Sequence, residues 1–370
     1  MKILKLTFLF AFGSIAAQNN YNLIVGTYAE GCTSKGIYLY NFNVETTEHE
    51  IRTTTGSDII NPSFIAVTKD NKFLYSVNQD GFDSTVSAFN YVAESAEINF
   101  LNKIPSQINN PSYIIIDDKN IFTPSYKDGS INILGRNQKG EVSAEKQLLD
   151  YYGGSGVNKE RQQSSHLGML QITPDGKHAI AADLGADKIY IYAYNPAGGS
   201  KTLHLKETVR VEEGSGPRDF VFSSDGKKLY LLNGLNATVT IFNYALGKLT
   251  KIGEASVLSK DFSGNIDAAG IKISPDGKFI YTANKADSHT ISVLEIKPDG
   301  SLNWVQEIHT EGKSPNHFTI DPTGNLLLVA NTETNDIAIF NRDKATGRLT
   351  YMQRHIEVCS PTFLMFTKGK

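Results

Sequence analysis

The residues best able to do chemistry fall at a few recurring places in the chain. Arg161, Gln162 and His166 stand close together, with Asp183 following. Arg218 and Asp219 are adjacent, as are Asn284 and Lys285, and Asn316 and His317. Tyr126, Asn233 and Asn331 complete the set. His166, Asp183, Asp219 and His317 are candidate bases, able to take a proton from water. Arg161, Arg218 and Lys285 are candidate cations for an oxygen that turns negative as a carbonyl is attacked. The set suits addition of water to an acyl carbon. Plainer roles compete with this reading. The Asn residues and Asp183 bond nearby backbone well in turns. Asp219 can pair with Arg218, and His166 can cap a loop against Arg161. No two histidines stand at metal-ligand spacing, so neither metal nor other cofactor is expected. Gly153-Gly154-Ser155-Gly156 opens no helix and is not read as a phosphate cradle.

These residues are positioned by a repeat. An apolar strand, a turn with Asp or Gly, a second apolar strand and a closing Asn or Asp recur along the chain. The copies read NPSFIAVTKDNKFLYSVN from Asn61, NPSYIIIDDKNIFTPSY from Asn110 and HLGMLQITPDGKHAIAAD from His166. GPRDFVFSSDGKKLYLLN, DAAGIKISPDGKFIYTAN and SPNHFTIDPTGNLLLVAN follow, and SPTFLMF ends the series. Pro62, Pro111, Leu167, Pro217, Ala268, Pro315 and Pro361 fall in one column, spaced by 49, 56, 50, 51, 47 and 46 residues. A period near 50 with period-2 alternation fits the four-stranded blade of a β-propeller. Seven first strands imply seven blades in an all-β ring. The truncated last copy calls for partner strands from the N-terminus, with NLIVGTY as second strand and KGIYLYNF as third. Residues after the Pro column and residues closing the second strands then converge on one channel mouth. A polar funnel at a concave mouth is a common ligand site. The segment 151–165 is the longest excursion from the repeat and reads as a binding loop.

The first residues carry Lys2 and Lys5, then an apolar run from Leu6 to Phe12, then Gly13, Ser14, Ala16 and Ala17. This is the layout of a secretory signal peptide spanning 1–18, cleaved near Ala17 to Asn19. The mature domain is then 19–370, periplasmic or extracellular. A net charge of −3 with 20% charged residues argues against nucleic acid and anionic membrane as partners. No membrane insertion is expected after signal cleavage. Cys32 and Cys359 can pair across the closed ring or remain free thiols.

The motifs resemble the lactonase family of seven-bladed propellers, which includes 6-phosphogluconolactonases and carboxy-muconate lactonising enzymes. The matches are GTY with SKGIYLYNF, NPS at 61–63, SYKDGSI, RQ before SH, ADLGADKIYIY, GPRD and PNHFTIDPTGNLLLVAN. The resemblance implies lactone hydrolysis at the channel mouth. It places His166 and Arg218 at family site positions and keeps Asn233 and Asn284. Gly168 stands where a second His is expected, Asp219 where a His, Gly234 where a Glu and Lys285 where an Arg. Asn316 takes a later Arg position, followed by His317. The expected catalytic set is His166, Arg218, Asp219 and Lys285. Arg161, Gln162, Tyr126, Asp183, Asn233, Asn284, Asn316, His317 and Asn331 are expected to bind substrate. A small sugar-type lactone or sugar acid is the expected partner. A non-catalytic propeller holding a sugar-derived ligand or a protein is the alternative, and a muconate-type cyclase ranks below both.

Overall fold

The computed structural model describes residues 19–29 and 31–369. The expected signal peptide lies outside the described residues. Those residues form seven four-stranded antiparallel sheets, with one 3-10 turn at Gly199–Lys201. Each sheet is one blade. The innermost strands of blades one to six are Pro62–Val67, Ile115–Ile116, Leu167–Ile172, Pro217–Phe222, Ala268–Ile273 and Pro315–Ile320. Their partners are Phe73–Asn78, Asn120–Ser125, His178–Asp183, Lys228–Asn233, Phe279–Asn284 and Leu326–Asn331.

The seventh blade is built from both chain ends. Pro361–Lys368 pairs with Asn20–Thr27, which pairs with Tyr38–Asn43 and then His49–Thr54. This is the closure the truncated seventh repeat calls for, and it occupies sheet edges that would otherwise lie open. A disulfide joins Cys32 to Cys359, with Cα atoms 5.8 Å apart, and locks the same junction.

Alternation along each strand buries one blade face against the next. Met169, Ile180 and Ile191 of blade three meet Phe220, Leu229 and Leu231 of blade four in a single apolar cluster. Burying each such side chain contributes about 1.5–3 kcal/mol. Tyrosines also stitch neighbouring blades: Tyr75, Tyr230 and Tyr281 each donate a hydrogen bond to a turn carbonyl of the following blade, at Gly140, Gly300 and Gly347. These bonds tie the second strand of one blade to the outer turn of the next.

One register differs from the sequence alignment. In blade two, Pro111 bridges Ser125, whereas Pro62 pairs with Asn78 and Pro217 with Asn233. Ser125 therefore occupies the strand-closing position, and Tyr126 is the residue after it. The first hairpin of this blade is shorter than the others, so aligning by its last aromatic shifts the column by one residue.

Candidate functional site

A repeated backbone irregularity aims residues into the channel mouth. In blade four Pro217 pairs with Asn233, yet Asp219 pairs with Leu232, so Arg218 is the extra residue of a bulge. The same shift lies between Pro62 and Phe64, Leu167 and Met169, and Pro315 and His317. Ser63, Gly168 and Asn316 are thus the bulged residues of their blades. A bulge bends its strand and redirects a side chain. In blade five the shift comes one residue later, at Gly270, whose φ of +75° lies in the region that favours glycine. The Gly270 N–H donates to Asp219 Oδ2 at 2.8 Å.

The mouth opens into a cavity of about 420 Å³. Arg161, Arg218, Asp219, Lys272, Asn316 and His317 supply its charged and polar wall, with Tyr126 beside them. Phe64, Tyr113, Met169 and Phe318 supply the apolar part. Arg161 reaches the cavity because Gln162, buried in the 151–165 excursion, anchors that loop. Gln162 Nε2 donates to the Leu184 carbonyl, and its Oε1 accepts from Asn158 N–H.

Asp267 ties these cations together and was not singled out from the sequence. Its Oδ1 accepts from Arg218 Nη1 at 2.7 Å and from Arg161 at 3.3 Å. Burial would raise its carboxyl, but Arg218, Lys285 and Arg161 hold it below the usual carboxylate range. It remains an anion at neutral pH and cannot serve as the acid. The available signal was positional: Asp267 precedes Ala268 in the Pro column, as His166 precedes Leu167. Lys285 belongs to the same electrostatic cluster. Burial, then the Arg218 charge, lowers its amine to about 8, and Asp267 and Asp219 oppose that fall. Lys285 donates to Asn316 Oδ1, and Asn316 Nδ2 donates to the Thr362 carbonyl at 3.3 Å. Arg161 is kept charged despite burial by the Tyr126 hydroxyl and Asp267.

Two histidines are fixed in opposite tautomers. His166 Nδ1 lies 2.6 Å from the Tyr126 carbonyl, which can only accept. Nδ1 carries the proton there, leaving Nε2 as the lone-pair nitrogen of the neutral ring. The His166 ring stacks on Tyr126, with centroids 4.4 Å apart and planes 8° from parallel. His317 Nδ1 instead accepts from Leu364 N–H at 3.0 Å, so its proton sits on Nε2. Burial, then Lys272, pushes His317 well below the ordinary histidine range. It is a neutral hydrogen-bond donor rather than a base.

Other expected site residues are turned away from the mouth. Asn233 Nδ2 donates to Thr238 and Thr240, and Asn284 Nδ2 to Thr290 and Ser292, all on the third strand of the same blade. Asn331 donates to Asp336 on the third strand of its blade and to the Thr310 carbonyl, which follows the last strand of blade five. Asp183, fully buried, accepts from Ser165, Tyr190, His166 N–H and Ala186 N–H. These residues hold the strand ends in place and touch the cavity only through their neighbours. The residue after each closing position reaches across instead: Gln79 donates to the Pro111 carbonyl and Thr332 to the Pro361 carbonyl.

The two glycines frame Arg218. A Cβ at Gly168 would stand 3.1 Å from the Arg218 carbonyl oxygen. A Cβ at Gly234 would stand 3.3 Å from Arg218 Cδ and from Leu184 Cδ1. The Arg218 stem and Leu184 thus crowd the space beside Gly234, and the mouth is not an empty funnel there. Among the described residues no group of three or more His, Cys, Asp or Glu could hold a metal ion.

Comparison with known proteins agrees with this geometry. Residues 22–366 match the family model "Lactonase, 7-bladed beta-propeller". A 6-phosphogluconolactonase of Bacillus subtilis is 30% identical over 92% of this chain and 97% of its own length. The crystal structure of a putative 6-phosphogluconolactonase of Bacteroides fragilis is 36% identical, with a TM-score of 0.90 over 95% of this chain and 99% of that one. A periplasmic gluconolactonase of Pseudomonas aeruginosa is 28% identical, with a TM-score of 0.88 over 94% and 99%.

Proposed function

The chain belongs to the seven-bladed β-propeller lactonase family, and from that premise we propose that it hydrolyses a sugar-type lactone at its channel mouth, outside the cytoplasm. The observation that carries this reading is the convergence of Arg218, Asp219 and Arg161 on one cavity, with Lys285 joined to them through Asp267. Asp219 keeps Oδ2 on Gly270 N–H, and its Oδ1 has no partner among the described residues. That oxygen takes the proton from water as the water oxygen bonds to the lactone carbonyl carbon. The carbonyl oxygen becomes negative and is met by Arg218, while Lys285, held behind the cavity wall on Asn316, adds its charge to the same cluster. Collapse breaks the bond from that carbon to the ring oxygen, which takes up the proton and leaves as a hydroxyl. The product is an open-chain hydroxy acid. Tyr126 holds Arg161 through its hydroxyl, and His166 fixes Tyr126 by stacking. Preorganised donors of this kind contribute about 10²–10³-fold each.

Export is supported by the basic, apolar and small-residue order of the first residues and by the Cys32–Cys359 bridge. Disulfides persist mainly in oxidising compartments. The printed name of the Pseudomonas aeruginosa neighbour places that protein in the periplasm. An exported enzyme meets neutral sugar lactones and sugar acids more readily than a phosphorylated intermediate of the cytoplasm. Gly234, standing where the resemblance calls for a Glu, favours the alternative of a non-catalytic site for a sugar-derived ligand or a protein partner. Acid release from a panel of neutral and phosphorylated lactones separates the two. Turnover above the blank supports hydrolysis, and none across the panel, with sugar acids still bound, supports the binding site.

A further inference from the structure

Deeper in the same cavity lies a second set of polar groups that the hydrolytic step does not use. Lys272 pairs with Tyr281, three residues before the closing Asn284, whereas Asp219 pairs with Leu232, one before Asn233. Lys272 is therefore two rungs further along its strand, about 7 Å deeper, on the same strand face. It lines the cavity, and its amine makes no hydrogen bond or ion pair with any described residue. Burial lowers its amine to about 8, and Asp219 pulls it back up. It is still cationic at neutral pH.

Beside it stands the His317 ring, whose Nδ1 is used by Leu364 and whose Nε2–H is free to donate. The Tyr113 hydroxyl also faces this space; burial, then Asp219, raises it, so it keeps its proton. Ser63 Oγ and Thr362 Oγ1 are buried on the cavity wall without partners. A Phe64–Tyr113 contact at 4.2 Å and a His317–Phe363 contact at 4.7 Å make the surrounding wall aromatic. The half-buried Lys272 ammonium has no hydrogen-bond partner among the described residues, and buried hydroxyls left unpaired, as at Ser63 and Thr362, are costly. One anion placed among them would satisfy them together.

We propose that Lys272, His317 and Tyr113 form an anion subsite that holds a free carboxylate of the substrate, so that the lactone taken is that of a sugar acid carrying a second acid group. The subsite rests on the hydrolytic reading for its catalytic consequence but not for its existence. Its charge sets the ligand class. Among the described residues Lys272 is the one full cation at this depth, Arg161 and Arg218 belonging to the mouth, and Asp219 lies close enough to interact with it. This suits a carboxylate monoanion and disfavours a phosphate dianion, which is held better by arginine forks. The aromatic wall fits the apolar face of a sugar ring.

The test is calorimetric binding of D-glucarate, D-gluconate and 6-phospho-D-gluconate to the mature protein. Glucarate is expected to bind tightest. Lys272→Met is expected to weaken glucarate at least tenfold, the size of a lost charge-assisted hydrogen bond, and Tyr113→Phe about threefold to tenfold. Tyr113→Phe removes a single hydroxyl and guards against a variant that fails to fold. Equal binding of glucarate and gluconate, tightest binding of the phosphate compound, or no effect of either variant in folded protein each overturns the subsite. Where lactones are hydrolysed but glucarate has no advantage, the subsite fails and the hydrolytic reading stands. Where glucarate binds through Lys272 but no lactone is turned over, hydrolysis fails and the subsite stands.

Discussion

Replacing Asp267 with Asn removes the carboxylate that touches both Arg161 and Arg218, at 3.3 and 2.7 Å. The side chains are 24% exposed for Asp267, 20% for Arg218 and 33% for Arg161, so the cluster is neither fully buried nor free in solvent. Losing one partner of a fully buried pair costs about 3–5 kcal/mol, and a surface pair is worth about 0–1. The intermediate exposure gives about 2–3 kcal/mol. With about 2.1 cal/mol/K of unfolding entropy per residue over roughly 350 residues, this lowers Tm by about 3–4 °C. A second effect reaches the chemistry. Lys285 sits at about 8 with Asp267 in place to favour its charge. Without that carboxylate its amine falls further. Turnover that needs the ammonium is present below this value and lost above it, so the alkaline limb of kcat/KM moves to lower pH in the variant. Asp267 itself titrates below its ordinary range, so its stabilisation is present above about 4 and lost as pH falls through the folded value. Scanning calorimetry from pH 3 to 8 and a pH–rate profile read both effects. An unchanged Tm at pH 7 together with an unchanged alkaline limb would refute the reasoning.

Lys285→Arg keeps the cation charged throughout, so the alkaline limb near 8 seen with a neutral lactone should disappear once spontaneous hydrolysis is subtracted. Reducing the Cys32–Cys359 bridge opens a loop spanning 327 residues. Chain entropy puts this at no more than about 6 kcal/mol, a Tm fall of at most about 8 °C, visible by calorimetry with and without reductant. Gly234→Glu restores the family's acidic side chain but forces it against Arg218 Cδ and Leu184. The expected outcome is a Tm lower by about 1–4 °C and a lower kcat/KM rather than rescue.

The ring was legible because each blade must repeat the same burial problem. The Pro column counts seven first strands, and the truncated copy from Ser360 requires the N-terminal strands that pair with it. Arg218 and Asp219 were legible because they follow that column directly. The bulge after it could not be read from spacing, and the bulge decides which side chain enters the mouth. Asn233, Asn284 and Asn331 looked like mouth residues because they close the second strands, but their side-chain amides bond neighbouring strands and connections instead. Asp267 escaped because blade five carries Ala268 in place of Pro, so the repeat is weakest where the anion sits. Lys272 escaped because its strand alternates as any other does, and only the register shows that its amine meets no partner. The histidine tautomers depend on contacts from distant strands, Leu364 for His317 and Tyr126 for His166.

The central claim is that Arg218 meets the oxygen that turns negative when a lactone is opened. Its most direct test is continuous titration of acid released from D-glucono-1,5-lactone near pH 7, comparing the mature protein with Arg218→Ala. The account predicts turnover by the wild type and a fall in kcat of about 10²–10³-fold in the variant, with the fold intact by circular dichroism. Equal kcat in the two proteins would contradict it.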